Sequence, residues 1–231
     1  MLYLLAAAAL SNAACGYQGP VQVTGLAFET GTRQLVYCEY FLPSEGGRTR
    51  VLYYNPQGYR FAEKDLYGEA GEQGANTKLP EMLQRDHRHG EVREVRRDGE
   101  QWLLRYRKST SAGWKTAHRD PGEIDVIDAG FDAYVREYWD RLASGEVTGF
   151  GFASPQHGRS VELRAQRTEC REPRPESLCL RVDLAQPLLR LFSDSLYLVY
   201  DTNTRRLRMF EGPVNILDSR ARSQRLQVHY H

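Results

Sequence analysis

The stretch Asp128-Ala-Gly-Phe-Asp-Ala-Tyr-Val-Arg-Glu-Tyr-Trp-Asp-Arg-Leu-Ala-Ser-Gly145 decides how the rest of the chain is read. Phe131, Tyr134, Val135, Tyr138, Trp139 and Leu142 recur at i, i+3, i+4, i+7, i+8 and i+11, one continuous apolar stripe of a helix. The other face sets Asp132 against Arg136 and Glu137 against Arg141 at i, i+4 spacing. Asp128 can cap the start and Ser144-Gly145 the end, so the pattern predicts a helix over about 129–144. Its bulky stripe has two readings. It plugs the open side of a curved sheet, or its aromatics Phe131, Tyr134, Tyr138 and Trp139 line a ligand cavity.

No other strong helical pattern interrupts the chain. Towards the N-terminus, short segments rich in Val, Tyr, Phe and Leu fall at 21–27, 35–42, 50–54, 59–67, 82–89, 91–97 and 101–108. Gly31-Thr32, Gly46-Gly47, Asn55-Pro-Gln-Gly58 and Asp98-Gly99 supply the turns between them, and residues 69–80 read as a long polar loop. Towards the C-terminus the same rhythm continues at 147–153, 160–169, 178–184, 196–201, 206–211 and 226–230, with a short helical turn at 186–192. Parallel βαβ units need a helix between successive strands, which argues against a doubly wound fold. The expected fold is mainly β: a curved antiparallel sheet or barrel, with one amphipathic helix packed in or across it. A single such domain is expected over 15–231.

Residues 2–10, Leu-Tyr-Leu-Leu-Ala-Ala-Ala-Ala-Leu, have the length of a secretory h-region and are too short to span a bilayer. Residues 1–14 are therefore expected to be a signal peptide. Ser11-x-Ala13 suits ordinary cleavage, whereas Ala13-Ala14-Cys15 resembles the end of a lipobox, with Asn12 where Leu is usual. Cys15 is thus a lipidation candidate, and the expected location is the periplasm, either free or anchored as a lipoprotein through Cys15. The four cysteines fit an exported chain. Cys170 and Cys179 bracket the link between two strand-like segments and are expected to form a disulfide. Cys38 is left to pair with Cys15, or to stay unpaired if Cys15 carries lipid. The absence of C-x-x-C excludes a zinc ribbon and a thioredoxin motif.

Lys plus Arg number 31 against 30 acids, a balance that excludes a nucleic-acid binder acting by bulk phosphate neutralisation. Two blocks carry a more specific signal. The first runs through Asp128-Ala-Gly-Phe-Asp132, Tyr138-Trp139-Asp140-x-Leu142-x-x-Gly145-Glu146 and Phe150-x-Phe152-x-x-Pro155. The second holds Tyr200-Asp201, Arg206-Leu207, Phe210-Glu211-Gly212, Asn215-Ile216 and Asp218. Together they resemble an uncharacterised family of exported Gram-negative bacterial proteins, across most of the mature chain. The resemblance brings no assigned activity. It implies a fold similar to the helix-plugged half-barrels that carry lipids in the bacterial envelope, the lipoprotein carriers being the familiar case. Cys38 and the imperfect lipobox depart from that pattern.

Other chemistry is thin. His87-x-His89 on a strand would point two imidazoles to one side, a weak metal candidate without a third ligand; His229-x-His231 is weaker still. There is no G-x-S-x-G and no Gly-rich phosphate loop ahead of a helix. Gly149 and Gly151 suggest a close backbone approach or a bend, and Asn215 beside Gly212-Pro213 reads as turn chemistry. No cofactor and no catalytic residue is expected. The leading expectation is a non-enzymatic envelope protein that holds a lipid or other hydrophobic ligand. The alternatives are a protein–protein accessory module of an envelope complex and an unrecognised hydrolase.

Overall fold

The structure, a computed structural model, describes residues 14–231 except 69, 72, 73, 76, 173, 174 and 191–194. The signal-peptide reading falls almost wholly on residues 1–13, outside the described residues, as does the end of the helical turn at 186–192.

Fourteen strands form one curved, unclosed antiparallel sheet. The first meander comprises β1 (Val23–Glu29), β2 (Leu35–Phe41), β3 (Arg48–Tyr54), β4 (Arg60–Tyr67), β5 (Glu81–Asp86), β6 (Glu91–Asp98), β7 (Gln101–Arg107) and β8 (Lys115–Arg119). The second comprises β9 (Thr148–Ser154), β10 (Arg159–Arg167), β11 (Ser177–Leu184), β12 (Leu196–Asp201), β13 (Leu207–Pro213) and β14 (Arg225–Tyr230). Within each, every strand pairs with its chain neighbour. A single long-range pairing joins the two: β1 runs antiparallel to β14, with Gly25 opposite Tyr230 and Ala27 opposite Val228. The sheet edges, β8 and β9, therefore come from the middle of the chain.

The segment between those edges crosses the gap they leave. It carries α1 (Gly130–Glu137) and α2 (Trp139–Ala143), broken at Tyr138, where one continuous helix over 129–144 is expected from the pattern. The stripe is nonetheless apolar-in: Tyr134, Val135, Trp139 and Leu142 are buried against Phe150, Ala165, Leu180 and Tyr200. Ahead of α1 the chain lies on β9, where Asp125 N and Val126 N both donate to Gly151 O, at 2.8 and 3.1 Å. A Cβ on Gly151 would sit 2.4 Å from Glu123 O, so this glycine is required for the close approach. Arg119 reaches across to Gly158 O at 2.6 Å and ties one end of β8 to the β9–β10 turn.

Strand β8 is absent from the expected set. Lys115-Thr-Ala-His-Arg119 is short, polar and mostly exposed, as edge strands are when further pairing is to be discouraged. Residues 70–71 and 74–75 form a two-residue ladder within the expected loop.

Candidate functional site

Inside the curve lies a cavity of about 360 Å³. The second meander gives it an apolar wall. Phe150 and Phe152 come from β9, Leu163 from β10, Val182 from β11, Leu198 from β12 and Phe210 from β13. Phe131 at the start of α1 adds to this wall. The loop between β13 and β14 straps over the interior, and its Val214, Asn215 and Ile216 line the cavity as well.

The first meander adds Tyr37, Glu39, Phe41, Tyr53 and Lys64 to the lining, and from Lys64 a polar row continues across the sheet outside the lining. Lys64, Gln84, Arg93 and Tyr106 are consecutive cross-strand partners on β4, β5, β6 and β7. A hydrogen-bonded chain links three of them across the interior. Tyr106 OH and the Arg93 guanidinium both donate to Glu91 Oε1, at 3.1 and 2.9 Å. Arg93 also donates to Asn215 Oδ1 at 3.0 Å, and Asn215 Nδ2 donates to Asp128 Oδ2 at 2.8 Å. Lys64 Nζ completes it by donating to Asp128 Oδ1 at 2.5 Å. The strap is held by the same contacts and by Gln84 Nε2 donating to Asn215 O at 3.0 Å. Buried charges of this kind are tolerated because each has a partner of opposite sign and further hydrogen bonds.

Asp128 stands at the junction. Its φ of +46° is left-handed, a region Asp tolerates better than most residues. The expected helix cap is not what it does: its carboxylate accepts from Lys64, Asn215 and its neighbour's Ala129 N–H. This carboxylate fixes where α1 begins relative to both meanders.

Glu39 on β2 also faces the cavity and is 7% exposed. It sits opposite Gly25, where a Cβ would approach the Glu39 Cγ to 2.5 Å; the missing side chain leaves room for the carboxyl. Burial raises its pKa above the ordinary carboxylate value, while Lys64 and a hydrogen bond from Tyr230 work against that rise and Asp128 adds to it. The Tyr37, Tyr53 and Tyr230 hydroxyls are pushed well above their usual range, by burial first and then by the nearby Glu39 charge. Asp132, on the cavity side of α1, is raised by burial and countered by its pair with Arg136.

The residues singled out from sequence meet different fates. Of the four stripe aromatics, only Phe131 lines the cavity. Tyr134 is buried against Phe150 and donates to Gly149 O at 3.2 Å. Trp139 packs edge-on to Tyr200, and Tyr138 stacks on Tyr134 under Arg141. These three are corrected from cavity candidates to the helix–sheet interface, because the stripe points at the sheet and the cavity lies beyond its N-terminal end. His87 and His89 are not on a strand. Strand β5 ends at Asp86, and the turn after it sends His87 towards Glu63 (3.8 Å) and His89 to Asp218 O (2.9 Å). Among the described residues no group of three metal-ligating side chains occurs. Ser154 Oγ meets His157 Nδ1 at 2.8 Å, but this exposed pair sits in a turn.

Cys170 and Cys179 are bonded. Cys15 is bonded to Cys38, under the Tyr40 hydroxyl that accepts from Cys15 N at 3.2 Å. A sulfur held in that bond is not available for a thioether lipid, so in this structure the lipidation candidate is a disulfide partner. Two disulfides belong to an oxidising, extracytoplasmic environment. Among the described residues no helix is long and apolar enough to cross a membrane.

Glu39 and the polar row that begins at Lys64 went unread in the sequence, yet they carry a signal. Lys64 between Ala62 and Leu66, Gln84 between Met82 and Asp86, and Glu39 between Tyr37 and Phe41 all occupy the inward phase of their strands. A polar residue on the core phase of an alternating strand needs a partner elsewhere in the fold. Comparison of the chain with protein-family models, with curated proteins and with solved structures finds no match.

Proposed function

We propose that this protein is a non-enzymatic binder of a hydrophobic ligand in the Gram-negative periplasm, with the ligand's chain against the apolar wall of the cavity. The observation that supports this reading is the cavity itself: about 360 Å³ of space, inside the usual range for small-molecule sites, with aromatic and aliphatic side chains along one side. An accessory docking module has no need of an unfilled interior. The curved, unclosed antiparallel sheet also suits this reading, by analogy with half-barrel lipid carriers at the level of fold alone.

The test is titration of the mature protein with N-phenylnaphthylamine, an uncharged probe that brightens in apolar surroundings. Saturable, one-to-one brightening is expected, and Val182→Trp, which fills the apolar side, is expected to remove it while leaving the unfolding transition cooperative. Unsaturable binding, or binding untouched by Val182→Trp, overturns the reading. Native mass spectrometry of protein taken from envelope fractions is the complementary measurement, with a co-purifying apolar ligand as the expected result.

A further inference from the structure

The cavity lining is polar and aromatic around Glu39 and apolar along Phe152 and Leu198, and the difference bears on the head group of any chain bound there. Among the described residues lining the cavity, Lys64 is the one cation, and Glu39, Asp128 and Asp132 are the acids. Two of these acids are matched, Asp128 by Lys64 and Asp132 by Arg136. Outside the lining, Arg93 is matched by Glu91. Glu39 accepts a hydrogen bond from Tyr230 and feels the charge of Lys64, but among the described residues no cation is bonded to it. Adding an anionic head group here would place like charges together in a desolvated site.

The walls around Glu39 are aromatic. Tyr37 and Tyr53 meet edge-on with centroids 5.8 Å apart, and Phe41 and Tyr230 meet edge-on at 6.5 Å. All four line the cavity with Glu39. Rings around a carboxyl form the kind of cage that recognises ammonium groups, through the negative faces of the rings and the charge at the centre.

We propose that the polar part of the cavity selects an amphiphile with a cationic nitrogen head, seated against Glu39 within the Tyr37, Tyr53, Phe41 and Tyr230 rings, its chain extending along the Phe152–Leu198 wall. This rests on the reading of the cavity as a ligand site and adds the class of ligand. An ammonium supplies the cation that Glu39 lacks, so the bound state holds the carboxylate ionised. The groups facing Glu39 are Tyr37 on its own strand, Tyr53 on β3, Lys64 on β4, Tyr230 on β14 and Asp128 ahead of α1. Lys64 and Asp128 stay paired with each other, and the tyrosines, pushed up by burial, remain protonated. Glu39 is therefore the group whose ionised form the ammonium favours, so amine affinity falls as the pH drops through the Glu39 pKa.

The test compares dodecylamine and dodecanoate, each below its micelle concentration, and dodecanol below its solubility limit, as displacers of bound N-phenylnaphthylamine. Dodecylamine is expected to bind at least about tenfold tighter than dodecanoate at neutral pH, the scale of one charge-assisted contact. Lowering the pH is expected to weaken dodecylamine and leave dodecanol unchanged. Glu39→Gln, which keeps the side-chain shape, is expected to abolish both the preference and its pH dependence while dodecanol still binds; dodecanol binding shows that the variant is folded. Equal binding of all three, tighter binding of dodecanoate, or an undiminished amine preference in Glu39→Gln overturns the head-group proposal alone. If no dodecyl compound displaces the probe, the ligand-site reading itself fails.

Discussion

The two meanders belong to a single sheet, yet they fill their common interior by different means. The second meander presents Phe, Leu and Val, and the helix stripe packs on them as in any apolar core. The first presents an apolar patch around Trp102, Leu104 and Val95, and beside it the row Lys64, Gln84, Arg93 and Tyr106. Burial of apolar area stabilises the second half without regard to direction. The first half depends on directed, paired contacts that lose their value when one partner goes. The strap and Asp128, drawn from the second half of the chain, are fastened by the polar row of the first. That row is thus a joint between the meanders, reaching the cavity at Lys64.

The largest effect should come from breaking this joint. Lys64→Met strands the Asp128 carboxylate in a buried site and is expected to cost about 3–5 kcal/mol in urea unfolding. Lys64→Met with Asp128→Asn, which removes both charges and keeps a residue that tolerates φ of +46°, is expected to be more stable than Lys64→Met alone. If the single variant is as stable as the parent, the claimed contrast between the halves collapses. In the apolar half, Leu142→Ala, at a fully buried position, should cost about 2–4 kcal/mol. There, no second substitution that removes a charge should restore the loss.

The disulfides sharpen the comparison at a smaller scale, because each lies on the outer side of a different meander. Cys15–Cys38 closes a separation of 23 residues and Cys170–Cys179 one of 9. Replacing each pair by Ala should cost about 3.5 and about 2.5 kcal/mol respectively in the chain-entropy account. Thermal unfolding of the two variants measures the order. The smallest effect is on pH dependence. Glu39 holds its proton more tightly folded than unfolded, so its contribution to stability is full below the ordinary value of 4.5 and is lost as pH rises through the raised folded value. Glu39→Gln should therefore lose less stability than the parent between acid and neutral pH, as read from urea midpoints.

Much of the fold is legible in residue order. The strand rhythm, the turns at Gly46-Gly47 and Asp98-Gly99, and the apolar stripe from Phe131 to Leu142 each rest on local geometry, which sequence spacing records directly. Strand β8 is not legible, because Lys115-Thr-Ala-His-Arg119 has neither alternation nor apolar content and is a strand only through its pairing with β7. Nor is the polar row with its partners. Lys64 and Asp128 are 64 residues apart, and Asn215 lies 87 residues beyond Asp128. Nothing in the neighbourhood of any of them names the others. The break at Tyr138 is equally silent, since the residues on both sides are ordinary helix formers.

The pairing of β1 with β14 has a kinetic consequence. Every other ladder joins neighbours along the chain and closes only a short loop, so each meander can organise from its own turns. The β1–β14 seam closes a loop of nearly the whole described length, with the entropy that such closure carries. Refolding should then proceed as two ribbons that zip together last along Gly25–Glu29 and Leu226–Tyr230, and any compartment built between them comes into being only at that final step.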